Sequence, residues 1–152
     1  MKTETLHDIL KWTKDYHSRL ANQIGQCEKQ EEAERAKMVL GYLADHEKML
    51  SKVIEEYSES ASANALNTWC YDYLENYPID SQTSVDKALD ELDVQGVVGE
   101  VERRHNQIIG LYKHLLEQVE TPSAVDLVKQ LVDLEQHEAM RISQSTNRFQ
   151  DL

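Results

Sequence analysis

The chain has 152 residues, enough for one domain that buries roughly 70% of its unfolded surface around a single core. With 28 Asp and Glu against 16 Lys and Arg, its formal charge is −12, which repels phosphate backbones and anionic lipid surfaces. Nucleic acid and membrane are therefore poor partners, and no stretch has the apolar length of a signal peptide or a membrane span. A soluble, cytoplasmic protein is expected. Cys27 and Cys70 form no CxxC and no disulfide framework, so they read as two reduced thiols.

Five Gly and two Pro leave little material for hairpin turns, and the periodic stretches are far longer than strands. The expected class is all-α, a single domain over 1–152. The first helix is predicted over about 5–28, with Leu6, Ile9, Leu10, Thr13, His17, Leu20, Ala21 and Ile24 on one stripe. A second follows over about 32–59, with Val39, Tyr42, Leu43, His46, Met49, Leu50, Val53 and Tyr57 aligned. No Gly or Pro separates the two, and the charged "KQEEAE" is where the turn is placed.

The Ser- and Asn-rich segment after Glu59 breaks the pattern and holds a short aromatic helix, predicted over about 66–77 and stopped by Pro78. Trp69, Tyr71, Tyr73 and Tyr77 argue that this crossover packs along the bundle, because exposed aromatics at that density promote aggregation. A third long helix is predicted over about 85–119, carrying Val94, Val98, Val101, His105, Ile108, Tyr112, Leu115 and Val119. "ETPS" at 120–123 breaks the chain before a fourth helix over about 123–149, with Leu127, Leu131, Leu134, Glu138, Ile142 and Phe149 inward. Two antiparallel helical hairpins joined by a long crossover make a four-helix bundle.

Each long helix offers one polar group on its apolar stripe: His17, His46, His105 and Glu138. At about 100° per residue, His46 falls among Val39, Leu50 and Val53, while Glu47 sits on the flank. In the fourth helix the order in "HE" reverses, Glu138 pointing inward and His137 aside. Within each hairpin the inward pair is roughly equidistant from the turn, so its members stand level.

Buried ionisable groups cost several kcal/mol each unless paired or ligated. One reading is a metal site: imidazoles and a carboxylate from four helices suit Fe, Mn or Zn, with Glu47, Glu102 and His137 as further candidates. Glu102 and His105 form a Glu-x-x-His pair on one helix face. The other reading is a metal-free layer of hydrogen-bonded polar residues that sets bundle register, with Arg141 paired to Glu138. His7 and His114 receive no role. Trp12 and Tyr16, one turn apart and off the main stripe, either pack on the crossover or form a homodimer seam.

At this point the chain resembles the ferritin-like superfamily, in the rubrerythrin and bacterioferritin sense. The likeness rests on the two hairpins, the long crossover, and "LADHEKML" and "LEQHEAMR" at matching places in the second helix of each hairpin. It implies a carboxylate on the first and third helices and Glu-x-x-His on the second and fourth, together holding two iron or manganese ions. Carried over, the Glu positions match Glu47 and Glu138, but Leu50 and Arg141 stand where the His residues belong. His105 occupies the third-helix carboxylate position, and the first helix offers His17 and Asp15.

These departures favour either a His-rich site for a single Fe, Mn or Zn with a redox or stress-related role, or a metal-free bundle that acts as a dimer or protein-interaction module. A small-ligand pocket lined by Tyr42 and Tyr112 is a third option. No substrate and no catalytic residue is named by the sequence.

Overall fold

In the computed structural model of the chain, the described residues are 5–70, 89 and 91–151, the last three by backbone alone. The described elements are helices: α1 (Leu6–Gln30), α2 (Glu34–Ser60), α3 (Ala63–Leu66), α4 (Val94–Gln118) and α5 (Pro122–Asp151). The four long helices form the expected bundle of two hairpins, α1 with α2 and α4 with α5.

Local chemistry sets the ends. Thr5 caps α1 through a reciprocal capping box, its hydroxyl accepting from the Asp8 amide while Asp8 accepts from the Thr5 amide. The Asp93 carboxylate caps α4 by accepting from the Gly96 amide at 2.8 Å. A β-carbon at Gly96 would stand 3.1 Å from that carboxylate, so glycine leaves the cap room. The α1–α2 turn is confined to Glu31–Ala33, inside the acidic segment expected to hold it. Both hairpin turns are three residues long, which forces antiparallel neighbours.

A four-residue helix, α3, follows α2 and is capped by Ser62, whose hydroxyl accepts from the Ala65 amide at 3.2 Å. Most of the short helix predicted over 66–77 lies outside the described residues. The chain then passes the start of α1, where the Leu6 amide donates to the Thr68 carbonyl at 2.9 Å and Thr5 bridges to Trp69. Cys70 is buried there, whereas Trp69 is 55% exposed although its backbone is pinned. Tyr71, Tyr73 and Tyr77, and the predicted start of the third helix at 85, lie outside the described residues. Cys27 and Cys70 are both thiols, and burial pushes the Cys70 thiol up to about 11.

One apolar core runs the length of the bundle, through Leu10, Leu20, Leu43, Ile54, Val101, Ile108, Leu115 and Leu131. A layer of charge interrupts it at mid-height.

Candidate metal centre

The second helix departs from expectation. Leu40, Leu43, Ala44, Glu47, Leu50 and Ile54 are buried, and Glu47 has no exposed surface, whereas His46 remains partly exposed. Leu40 and Ile54 each lie two turns from Glu47, about 20° either side of it on the helix wheel. The apolar stripe is therefore centred on Glu47. The positions of Val39, Leu50 and Val53 taken alone place that centre one residue earlier, at His46.

In the fourth long helix the centre is also displaced, here by three residues. Val128, Leu131, Val132 and Ile142 are buried around Glu135, which is fully buried and central. Glu138 is buried too, but at the edge of the stripe. Glu135 was not among the residues expected to carry the site. Two sequence signals pointed to it: Val128 and Ile142 stand two turns away on either side, and the midpoint of 105 and 135 is Glu120, inside the observed turn. Likewise the midpoint of 17 and 47 is Glu32, inside the other turn.

His17 and His105 occupy the centres of their helices as expected, both fully or almost fully buried. His17 Nδ1 lies 2.5 Å from Glu47 Oε2, and His17 Nε2 lies 2.6 Å from Glu135 Oε1. His105 Nε2 hydrogen-bonds Glu47 Oε1. The two imidazole rings stand 5.6 Å apart, edge to face. The bonds from His17 on α1 to Glu47 on α2 and Glu135 on α5 place these groups of the two hairpins at one height.

His46 and Glu138 do not join this group. They form their own pair nearer the surface, His46 Nδ1 at 2.9 Å from Glu138 Oε2, with the Tyr42 ring tilted against the imidazole at 4.3 Å between centroids. Arg141 reaches Glu138 at 3.5 Å and so sits on this outer pair, away from the buried cluster. Glu102 is half-buried on a surface cavity next to His105. Tyr42 and Tyr112 line no common pocket among those described: Tyr42 donates to Ser145 at 2.8 Å, and buried Tyr112 donates to Thr13 at 2.8 Å.

Electrostatics constrain the cluster. Burial alone drives the His17 pKa down, but the Glu135 and Glu47 carboxylates outweigh it and carry the group up to about 10. Burial drives the Glu47 carboxyl up, and His105 and His17 together reverse this to about 2. His105 is likewise penalised by burial and raised on balance by Glu47. With carboxylates on both its nitrogens, His17 without metal is an imidazolium donating twice. With a second proton on His105 as well, two imidazolium ions would balance two carboxylates.

A divalent cation supplies the same balance with neutral imidazoles, and the donor set suits one. Ligand atoms of His17, Glu47 and His105 all lie within 4.8 Å of one another. Two imidazoles and one carboxylate form the two-His, one-carboxylate set typical of non-haem iron, and the N and O donors also suit Mn and Zn. Glu135 holds the other nitrogen of His17, the hydrogen bond that commonly orients a metal-bound imidazole. Glu135 Oε2 is buried without a hydrogen-bond partner, an acceptor that protein groups alone leave unsatisfied.

Beside the cluster lies a buried Arg104. Its guanidinium donates to Tyr16 Oη at 3.0 Å and meets Glu100 at 2.7 Å, while its Nε is buried without a partner. Tyr16 also touches Trp12, at 5.2 Å between ring centroids, so this pair faces the interior network as well as its own helix. No sequence signal distinguished Arg104 from its exposed neighbour Arg103.

Together the bundle and the buried layer define an all-α protein of ferritin-like fold with a histidine–carboxylate group at metal-binding spacing. No protein-family model matches the chain, and no curated protein does. Among solved structures the chain is similar to a Thermotoga maritima protein described as a candidate ferritin-like diiron-carboxylate protein, at 19% identity. That likeness covers 92% of this chain and 93% of the other, with a TM-score of 0.60, and it bears on the fold. No helix among the described residues is long and apolar enough to cross a membrane.

Proposed function

We propose that the chain binds a single divalent transition-metal ion, Fe, Mn or Zn, through His17, Glu47 and His105, with Glu135 orienting His17. The carrying observation is the convergence of these three ligands within 4.8 Å in a fully buried layer. Iron has the support of the two-His, one-carboxylate donor set and of the name given to the fold's solved relative. When bound, such an ion supplies Lewis acidity and, if it is Fe or Mn, one-electron chemistry, in keeping with a redox or stress-related role.

The chain's own residues hold and tune the ion. His17 must give up one proton and His105 must be neutral at the nitrogen that binds, so uptake releases protons. Glu135 keeps the remaining N–H of His17 engaged and fixes the ring. The surrounding apolar core excludes water and strengthens every charge interaction in the layer.

Elemental analysis of protein purified without a metal-binding tag tests the reading, beside the His105→Ala variant. About one ion per chain, lost in the variant, supports it. Metal-free protein whose thermal stability does not change on adding Fe, Mn or Zn overturns it.

A second reading rests on the same charge balance: doubly protonated imidazoles satisfy the carboxylates without metal, leaving a helical bundle that acts as a homodimer or interaction module. Light scattering across a concentration series separates this reading, since a strict monomer argues against the dimer.

A further inference from the structure

The cluster is closed to solvent, with the His17, Glu47 and His105 side chains at most 1% exposed, so an ion needs a way in. A surface cavity of about 280 Å³ lies between α4 and α5 and is lined by Glu102, His105, Asn106, Ala139, Met140, Ile142 and Ser143. His105 is thus shared: its Nε2 meets Glu47 inside, and its side of α4 forms part of the cavity wall. Glu102, one turn before His105 on the same face of α4, stands half-buried on that wall.

Resting on the proposed metal reading, we propose that this cavity is the route by which the divalent cation reaches the cluster, with Glu102 as its transient first ligand. A hydrated divalent ion must exchange water for protein oxygen before it can pass a core of aliphatic side chains. Among the residues lining the cavity, Glu102, Asn106 and Ser143 carry oxygen donors suited to that exchange, and His105 of the cluster lines it with them. The net charge of −12 raises the local concentration of cations, and Glu102 gives that attraction a destination next to His105. Glu102 lies outside the group of ligands that converge within 4.8 Å, so its work is capture, with final coordination left to the others.

Co²⁺ is the probe, its visible absorption reporting uptake by metal-stripped protein after rapid mixing. Glu102→Gln is expected to reach the same final stoichiometry and spectrum as the unaltered chain, with loading slowed roughly tenfold at low salt and less at high salt. Ala139→Phe, which leaves the charge in place and fills the cavity, is expected to slow loading as well, with no change in the salt dependence. Unchanged loading rates in both variants overturn the route while leaving the metal site intact. Loss of equilibrium stoichiometry in Glu102→Gln also overturns it, by making Glu102 a permanent ligand. No Co²⁺ uptake by the unaltered chain overturns both the route and the metal reading beneath it.

Discussion

His17 Nδ1 lies 2.5 Å from Glu47 Oε2 with both side chains closed to solvent, so the first hairpin is tied at mid-height by a charge contact inside the core. The same imidazole reaches Glu135 at 2.6 Å through its other nitrogen and ties in the second hairpin. One side chain thereby joins three helices, and much of the behaviour of the metal-free protein follows from it.

Replacing His17 with Ala strands the buried Glu135 carboxylate and leaves Glu47 with His105 as its one remaining imidazole partner. Removing one partner of a buried pair costs about 3–5 kcal/mol, and urea unfolding of the metal-free protein is expected to show a loss of that size. His46→Ala is the contrast. Its partner Glu138 retains Arg141 and His46 itself is partly exposed, so the expected loss is about 1 kcal/mol or less, and Co²⁺ uptake is retained.

The pH dependence has a definite sign. The folded pKa of His17 is raised to about 10 from 6.5, so its stabilisation is complete below 6.5 and is lost as pH rises towards 10. The folded pKa of Glu47 is lowered to about 2 from 4.5, so its stabilisation is complete above 4.5 and is lost as pH falls towards 2. Thermal unfolding of metal-free protein is expected to peak between these windows and to decline on the alkaline side. Metal affinity, measured by competition with a chelator, is expected to run the other way and increase with pH over the same alkaline range, because binding expels imidazole protons.

Metal binding stabilises the folded state by mass action. At a free ion concentration a hundredfold above Kd the gain is about 2.7 kcal/mol, seen as a raised unfolding temperature in calorimetry. Glu47→Gln is expected to abolish the gain and Arg141→Ala to preserve it, since Arg141 serves the outer Glu138 pair.

Arg104 is buried with an unpartnered Nε, and its acidic partner Glu100 also holds Arg103 at 2.6 Å, so Glu100 keeps a cation when Arg104 is replaced. Arg104→Met keeps the volume, and its unfolding free energy is expected to stay within about 1 kcal/mol of the parent. Tyr16, already raised by burial and partly restrained by Arg104, is expected to ionise at still higher pH in this variant. Ultraviolet titration of the tyrosinate band checks this.

Tyr112→Phe removes the donor to Thr13 Oγ1, which itself donates to the Leu10 carbonyl at 3.1 Å. The loss leaves a buried acceptor unsatisfied and is expected to cost about 1–3 kcal/mol in urea unfolding.

The sequence by itself determined the bundle: long 3.6-residue periodicities, scarce Gly and Pro, and short hairpin turns leave few other ways to bury the apolar stripes. It also placed His17 and His105 at the centres of their stripes, where valine, leucine and isoleucine flank them closely. It did not separate His46 from Glu47, or Glu138 from Glu135. On the wheel His46 and Glu47 differ by about 100° and Glu135 and Glu138 by about 60°, and a stripe broadened by half-exposed Tyr42, Met49 and Leu134 shifts its apparent centre by as much. Packing of the helices decided which residue of each pair joins the central cluster, because the carboxylates of Glu47 and Glu135 gain the two nitrogens of His17 only when α1, α2 and α5 meet at one height. Those partners lie on different helices, and their meeting is a property of the tertiary structure alone.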